Sequence, residues 1–192
     1  MLLSDRDIKK YIKEGKIKIT PKPDFKKQLG PCSLDLRLGK VFKTFKRVEF
    51  PFIDLKTKVP IEKIMTEIKL PLGKPLIIQP GDFIIANTEE TLELSLDLAA
   101  RIDGRSSLGR LGIVIHITAA RFDPGWRGKP VIELGNLGIM PVALYPGMRI
   151  CAISFEPLTS PSEVPYYRKR GRKYGRQQSP QASRINKEFN NK

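Results

Sequence analysis

Apolar and polar residues alternate in short runs along most of this chain. Leu34, Leu36 and Leu38 are separated by Asp35 and Arg37, and Leu92, Leu94 and Leu96 by Glu93 and Ser95. A period of two puts one set of side chains on a core face and the other outward. The charges of residues 33–39 are therefore predicted to face solvent or a neighbour. Further short strands are predicted at 17–19, 41–45, 52–55, 76–78, 83–86, 98–102, 113–117, 141–144 and 149–155. Pro80-Gly81-Asp82 and Tyr145-Pro146-Gly147 are turn signals between them. Pro21, Pro23, Gly30 and Pro31 interrupt the pattern early. Residues 59–70 fit a helical turn or a strand pair equally. Helical periodicity is clear only near the start, where Ser4 is placed to cap, Ile8, Tyr11 and Ile12 share a face, and Gly15 ends the turn. Many short strands with frequent turns predict an all-β sandwich, barrel or jelly roll.

Composition changes the picture at one place. The chain has 192 residues and a formal charge of +15. Residues 166–192 hold nine Lys/Arg against one acid, Glu188, so this end alone carries +8. We divide the chain into a β domain, 1–165, and a basic tail, 166–192. The tail reads as disordered chain or as a lid that orders on an anion. The opening residues Met1-Leu2-Leu3-Ser4 run straight into charge, and no apolar run suits a membrane span, so a cytoplasmic protein is expected.

Several chemistries lack their residues. A zinc hydrolase or zinc deaminase needs several His/Cys ligands, whereas the chain has one histidine, His116, and two isolated cysteines, Cys32 and Cys151. Thr118 stands two after His116, where zinc deaminases carry a glutamate. In an apolar run His116 reads as structural. No Gly-rich loop ends in Gly-Lys-Ser/Thr.

One stretch does carry chemistry. Gly104-Arg105-Ser106-Ser107-Leu108-Gly109-Arg110 offers two guanidinium groups, two hydroxyls and backbone N–H groups in one turn, an arrangement suited to an anion. Downstream, Glu133 lies between Ile132 and Leu134. It is either the outward position of an edge strand or a desolvated carboxylate, whose raised pKa would suit a general base. Pro130 lacks a ladder N–H and predicts an edge or a bulge nearby.

These motifs resemble the dCTP deaminase family of the dUTPase-related superfamily. The turn 104–110, His116-Ile117-Thr118-Ala119, Asp123-Pro124-Gly125-Trp126 and Val131-Ile132-Glu133 occur in order. Similar stretches flank them at 3–8, 33–39, 146–148 and 154–158, and in the tail from Tyr166 to Gln178. The resemblance implies a distorted jelly roll, a β-clip barrel of dUTPase type with short helices, assembled as a homotrimer with active sites between subunits. It implies deamination of dCTP to dUTP and ammonia with no catalytic cofactor, Mg²⁺ arriving with the triphosphate, and feedback by dTTP. Glu133 would activate water, with Ser106, the backbone near Ala119 and Arg110 from a neighbour beside it. Arg105, Ser107, Leu108 and Gly109 would cradle phosphates, Asp123 the sugar hydroxyl, and the Val131 and Ile132 backbones the base. Tyr166, Lys173 and Gln177 would belong to the closing tail. The tail lacks the Gly-rich aromatic ending usual in dedicated dUTPases, and the Asp123-Pro124-Gly125-Trp126 loop resembles the deaminase-only branch. Departures are Ala120, Pro130 and the absence of an aromatic in 135–138. The alternatives are a bifunctional enzyme that also cleaves dUTP, a dUTPase, and a basic module binding nucleic acid through the tail.

Overall fold

The computed structural model describes residues 1–46, 52–56, 61–71 and 73–190. Helix α1, Asp5–Lys13, starts as its sequence predicts: the Ser4 hydroxyl accepts the Asp7 N–H and donates to the Asp7 carboxylate. Its Ile8 is fully buried, and Gly15 ends the turn with φ +74°. Strand β1, Ile17–Thr20, follows, and then a short helix, α2, Phe25–Gln28. The sequence pattern reads this stretch only as a break. Four residues are too few to show a period, but Asp24 caps them by accepting the Lys26 N–H at 3.0 Å.

Strand β2, Leu34–Phe45, joins the two runs predicted at 33–39 and 41–45 into one element. Its first half pairs with β13, Arg149–Pro157, and its second half with β3, Met65–Lys69, and β5, Phe83–Thr88. The register slips between Leu38 and Phe42. Gly39 sits at this bend, where an added Cβ would lie 2.7 Å from the Asn87 carbonyl oxygen. A side chain would push the two strands apart, so glycine lets one strand serve both walls.

The remaining elements are β4, Leu76–Ile78; β6, Thr91–Leu94; β7, Leu98–Gly104; α3, Ser106–Gly109; β8, Ile113–Val114; β9, Arg121–Phe122; β10, Arg127–Gly128; β11, Val131–Asn136; β12, Val142–Leu144; and α4, Lys187–Asn190. The main sheet has the order β8-β11-β5-β2-β13-β7-β9, with β3 also on β2. Smaller sheets are β1-β6-β10 and β12-β4. Between them lies one apolar core that includes Ile8, Leu34, Leu36, Phe42, Ile132, Leu134, Ile153 and Phe155, all fully buried or nearly so. This is the expected all-β, jelly-roll-like architecture.

Three local expectations are corrected. Residues 52–55 form no strand: Phe52, Ile53 and Leu55 are exposed, and without a sheet partner their pattern has nothing to bury. Residues 61–69 are neither of the simple alternatives but a 3₁₀ turn, Ile61–Ile64, leading into β3; residues 59 and 60 of that prediction lie outside the described ones. For the charges of residues 33–39 the solvent alternative falls and the neighbour alternative holds. Arg37 binds the fully buried Glu90, and Asp35 pairs with Arg105 and Arg149, each at 3.3 Å.

Candidate active site

Strand β11 lies between β5 and β8, so Glu133 is not on an edge strand. Pro130 precedes the strand, and its carbonyl accepts the Thr88 N–H at 2.9 Å, so its missing N–H breaks no ladder bond. Along β11, Ile132 and Leu134 enter the core while Val131 and Glu133 point to the opposite face. The period of two forces this separation. The Glu133 side chain keeps 30% of its exposure, so it is half-buried beside a fully closed core.

The predicted strand 113–117 ends at Val114. Beyond it the backbone leaves the ladder and wraps the carboxylate. The Glu133 N–H donates to the Ile115 carbonyl at 3.1 Å, and the Ile117 N–H donates to Glu133 Oε2 at 3.3 Å. His116 Nδ1 lies 2.8 Å from the same Oε2, a charge contact rather than a straight hydrogen bond. Burial works against charging this imidazole, but the Glu133 carboxylate and the Ala119 carbonyl outweigh it, and its pKa is raised. His116 thus lies beside the Glu133 carboxylate, past the end of β8, rather than inside a strand. Only the departure of the chain from the ladder reveals this, and an apolar run gives no sign of it.

The Arg/Ser turn is built differently. Leu108 is buried and anchors α3, while Ser106, Ser107, Gly109 and Arg110 are exposed. Arg105 is tied back: its guanidinium reaches Asp35 at 3.3 Å and the Arg149 carbonyl at 3.2 Å. Among the described residues of one chain, no hydrogen bond or ion pair joins this turn to Glu133. Glu133, Ala119, Val131 and Ile132 come together with His116. Ser106 and Arg110 make no such contact and are exposed, as are the apolar side chains of Leu111, Ile117, Leu137, Ile139 and Met140.

The basic tail packs along the body. The Tyr166 N–H donates to the Pro124 carbonyl at 2.8 Å, and the Tyr166 ring packs on Trp126 with centroids 5.1 Å apart. Burial raises the pKa of the Tyr166 phenol. Gly125 has φ +75°, and a Cβ there would meet Pro165 at 2.8 Å, which explains a glycine inside the Asp-Pro-Gly-Trp loop. Asp123 pairs with Lys169 at 3.7 Å. Further on, the Arg176 N–H donates to the Arg127 carbonyl, and the Lys129 N–H to the buried Gln177. Lys173 contacts Glu188. Gln177 therefore lies against the chain that leads into Val131 and Glu133. The arrangement joins a fixed, half-buried carboxylate to a cationic strap, an assembly suited to proton transfer on an anionic substrate.

The family model described as dCTP deaminase-like matches residues 2–158. The chain is 53% identical over 189 residues to "dCTP deaminase" of Thermomicrobium roseum, covering 98% of this chain and 96% of that one. It is also 53% identical to "dCTP deaminase, dUMP-forming" of Dictyoglomus thermophilum, covering 98% and 97%. Among solved structures, the 2'-deoxycytidine 5'-triphosphate deaminase of Agrobacterium tumefaciens superposes with a TM-score of 0.62 at 26% identity, over 81% of this chain. The chain spans about half the length of that Agrobacterium protein, 47%.

Proposed function

As a member of the dCTP deaminase-like family, the chain has the carboxylate that hydrolysis of a cytosine amine requires, and we propose that it converts dCTP and water to dUTP and ammonia. The observation that carries this reading is the way Glu133 is held. Ile117 N–H and His116 both take Oε2, which leaves Oε1 to face a water. Water is a poor nucleophile at neutral pH, and a positioned general base contributes roughly 10²–10⁴-fold. Glu133 takes a proton from water as oxygen attacks C4 of the base. That proton goes to N3, and the second water proton then leaves with the amine as the C–N bond breaks. The Glu133 carboxylate raises the pKa of His116, and the protonated imidazole in turn favours the ionised carboxylate. The Ala119 backbone and the Val131 and Ile132 backbones border the base, and Asp123 binds the sugar hydroxyl.

The exposed Ser106 and Arg110 suit a homotrimer in which this turn completes a neighbour's site. The apolar side chains of Leu111, Ile117, Leu137, Ile139 and Met140 beside it favour a buried subunit contact. Ser107, Leu108 and Gly109 offer backbone and hydroxyl groups to the phosphates, and Arg105 holds the turn to the barrel through Asp35. Tyr166, Lys173 and Gln177 close over the triphosphate, which enters as its Mg²⁺ complex. dTTP, with the same phosphates, competes for this site.

A second reading adds a second water, giving dUMP, pyrophosphate and ammonia overall. The Dictyoglomus thermophilum relative at 53% identity, a "dCTP deaminase, dUMP-forming", favours it. One experiment tests both. Purified protein with dCTP and Mg²⁺ releases ammonia, and chromatography then separates dUTP from dUMP with pyrophosphate. Ammonia with accumulating dUTP supports the first reading, and stoichiometric pyrophosphate the second. No ammonia rejects both.

A further inference from the structure

The cross-strand row that carries Glu133 also carries two other charged residues. Register places Glu67 opposite Lys43, Lys43 opposite Ile85, and Ile85 opposite Glu133. Lys43 therefore lies two strands, roughly 10 Å, from the carboxylate at ordinary strand spacing. Lys43 is also buried, 8% exposed, although it sits on the outer face. Its cover is the far end of the tail. A cavity of about 530 Å³ is lined by Lys43, Ile61, Glu62 and the chain from Ser179 to Lys187.

Two contacts fix that cover. Lys43 Nζ contacts the Glu62 carboxylate, with Glu67 at 3.9 Å on its other side. The other Glu62 oxygen accepts the Ala182 N–H at 3.2 Å. Around this bridge Ala182, Ile61, Met65 and Ile85 form a second apolar cluster, with Ile185 and Val131 packed against it. Val131 and Ile85 are next neighbours of Glu133, along its strand and across from it. The tail segment thus ends its path on the residues that border the carboxylate.

We propose that Lys43 and Glu62 form a latch that seats the segment 181–185 as a wall of the site, making both of them positioning residues for the reaction. Two physical facts support this. A lysine is rarely buried unless paired, and here its partner carboxylate also holds a backbone N–H of the tail. The apolar cluster alone is small, so a charge-assisted bond contributes much of the specificity with which the segment docks. The effect on turnover rests on Glu133 acting as proposed above, whereas the latch itself does not.

The test uses the full chain. Hydrogen–deuterium exchange of the peptide spanning 179–186, read by mass spectrometry without nucleotide, reports seating alone. Glu62→Ala speeds exchange there. It also raises the KM for dCTP about tenfold or more, the size of a lost charge-assisted hydrogen bond, and leaves kcat within about twofold. Glu62→Gln keeps an acceptor for Ala182 and falls between Glu62→Ala and the parent protein. Removing the chain after Pro180 raises KM as much as Glu62→Ala, and adding Glu62→Ala to that truncation raises it no further. Unchanged exchange in Glu62→Ala overturns the latch. A full, additive KM effect in the truncated chain overturns it as well. If dCTP is not turned over at all but exchange responds, the functional reading fails and the latch stands.

Discussion

Glu90 and Glu133 are both glutamates within or beside strands, and they have opposite fates. Glu90 is fully buried, and both of its oxygens are used. Oε1 accepts from Arg37 Nε at 2.7 Å and from Gln28 at 3.2 Å, and Oε2 accepts the Arg37 N–H at 2.8 Å. Glu133 is half-buried, and among the described residues its side-chain hydrogen bond and ion contact both fall on Oε2. Burial alone would nominate Glu90 as the unusual acid. A buried carboxylate with both oxygens already engaged has little left for a substrate and serves to hold the chain together. The role proposed for Glu133 rests on the oxygen that these contacts leave over, which is a matter of geometry rather than depth.

The largest effect that would test this contrast is on turnover. Glu133→Gln cannot accept a proton, so ammonia release is expected to fall by roughly 10²–10⁴-fold, while the melting temperature stays near that of the parent protein. Near-normal turnover would remove Glu133 from the reaction. The mirror-image variant, Glu90→Gln, is expected to lose stability instead. Breaking a buried pair costs about 3–5 kcal/mol, and the partial exposure of Arg37 puts this one near the lower end. For a chain of this size that is a fall of about 6–12 °C in Tm, with kcat per folded molecule unchanged. A Glu90→Gln protein with parental Tm but lost activity would reverse the roles assigned to the two acids.

The smallest effect concerns pH. His116 has a raised pKa in the folded chain, so its protonated form stabilises the fold. That contribution is complete below the unfolded value of about 6.5 and is lost as pH rises through the higher folded value. The melting temperature of the parent protein should exceed that of His116→Asn by a few degrees in mild acid, and the gap should close in mild alkali. A gap that widens with pH would mean the imidazole is held neutral.

Legibility in the sequence followed the range of the interactions. Alternation marked the first half of β2 and β6, short apolar runs between turn signals located β1, β5, β7, β12 and β13, and Ser4 marked the start of α1 through a contact three residues away. Glu133 was legible because its neighbours in the strand are both aliphatic. What could not be read depended on partners far along the chain. Residues 41–45 join 34–38 because Asn87 lies against Gly39, and Arg37 turns inward because Glu90 waits there. His116 belongs to the site only because the backbone leaves its ladder at Ile115. Periodicity carries no record of such departures.

The bend at Gly39 has a consequence for how this molecule comes apart. Because β2 is stitched into both walls, neither wall can melt while the other keeps its register. The strand bearing Glu133 is bonded to β5, and β5 to β2, so it shares that all-or-none fate. Warming should therefore leave Glu133 aligned until the whole barrel gives way, with no intermediate regime in which its strand is softened but surviving.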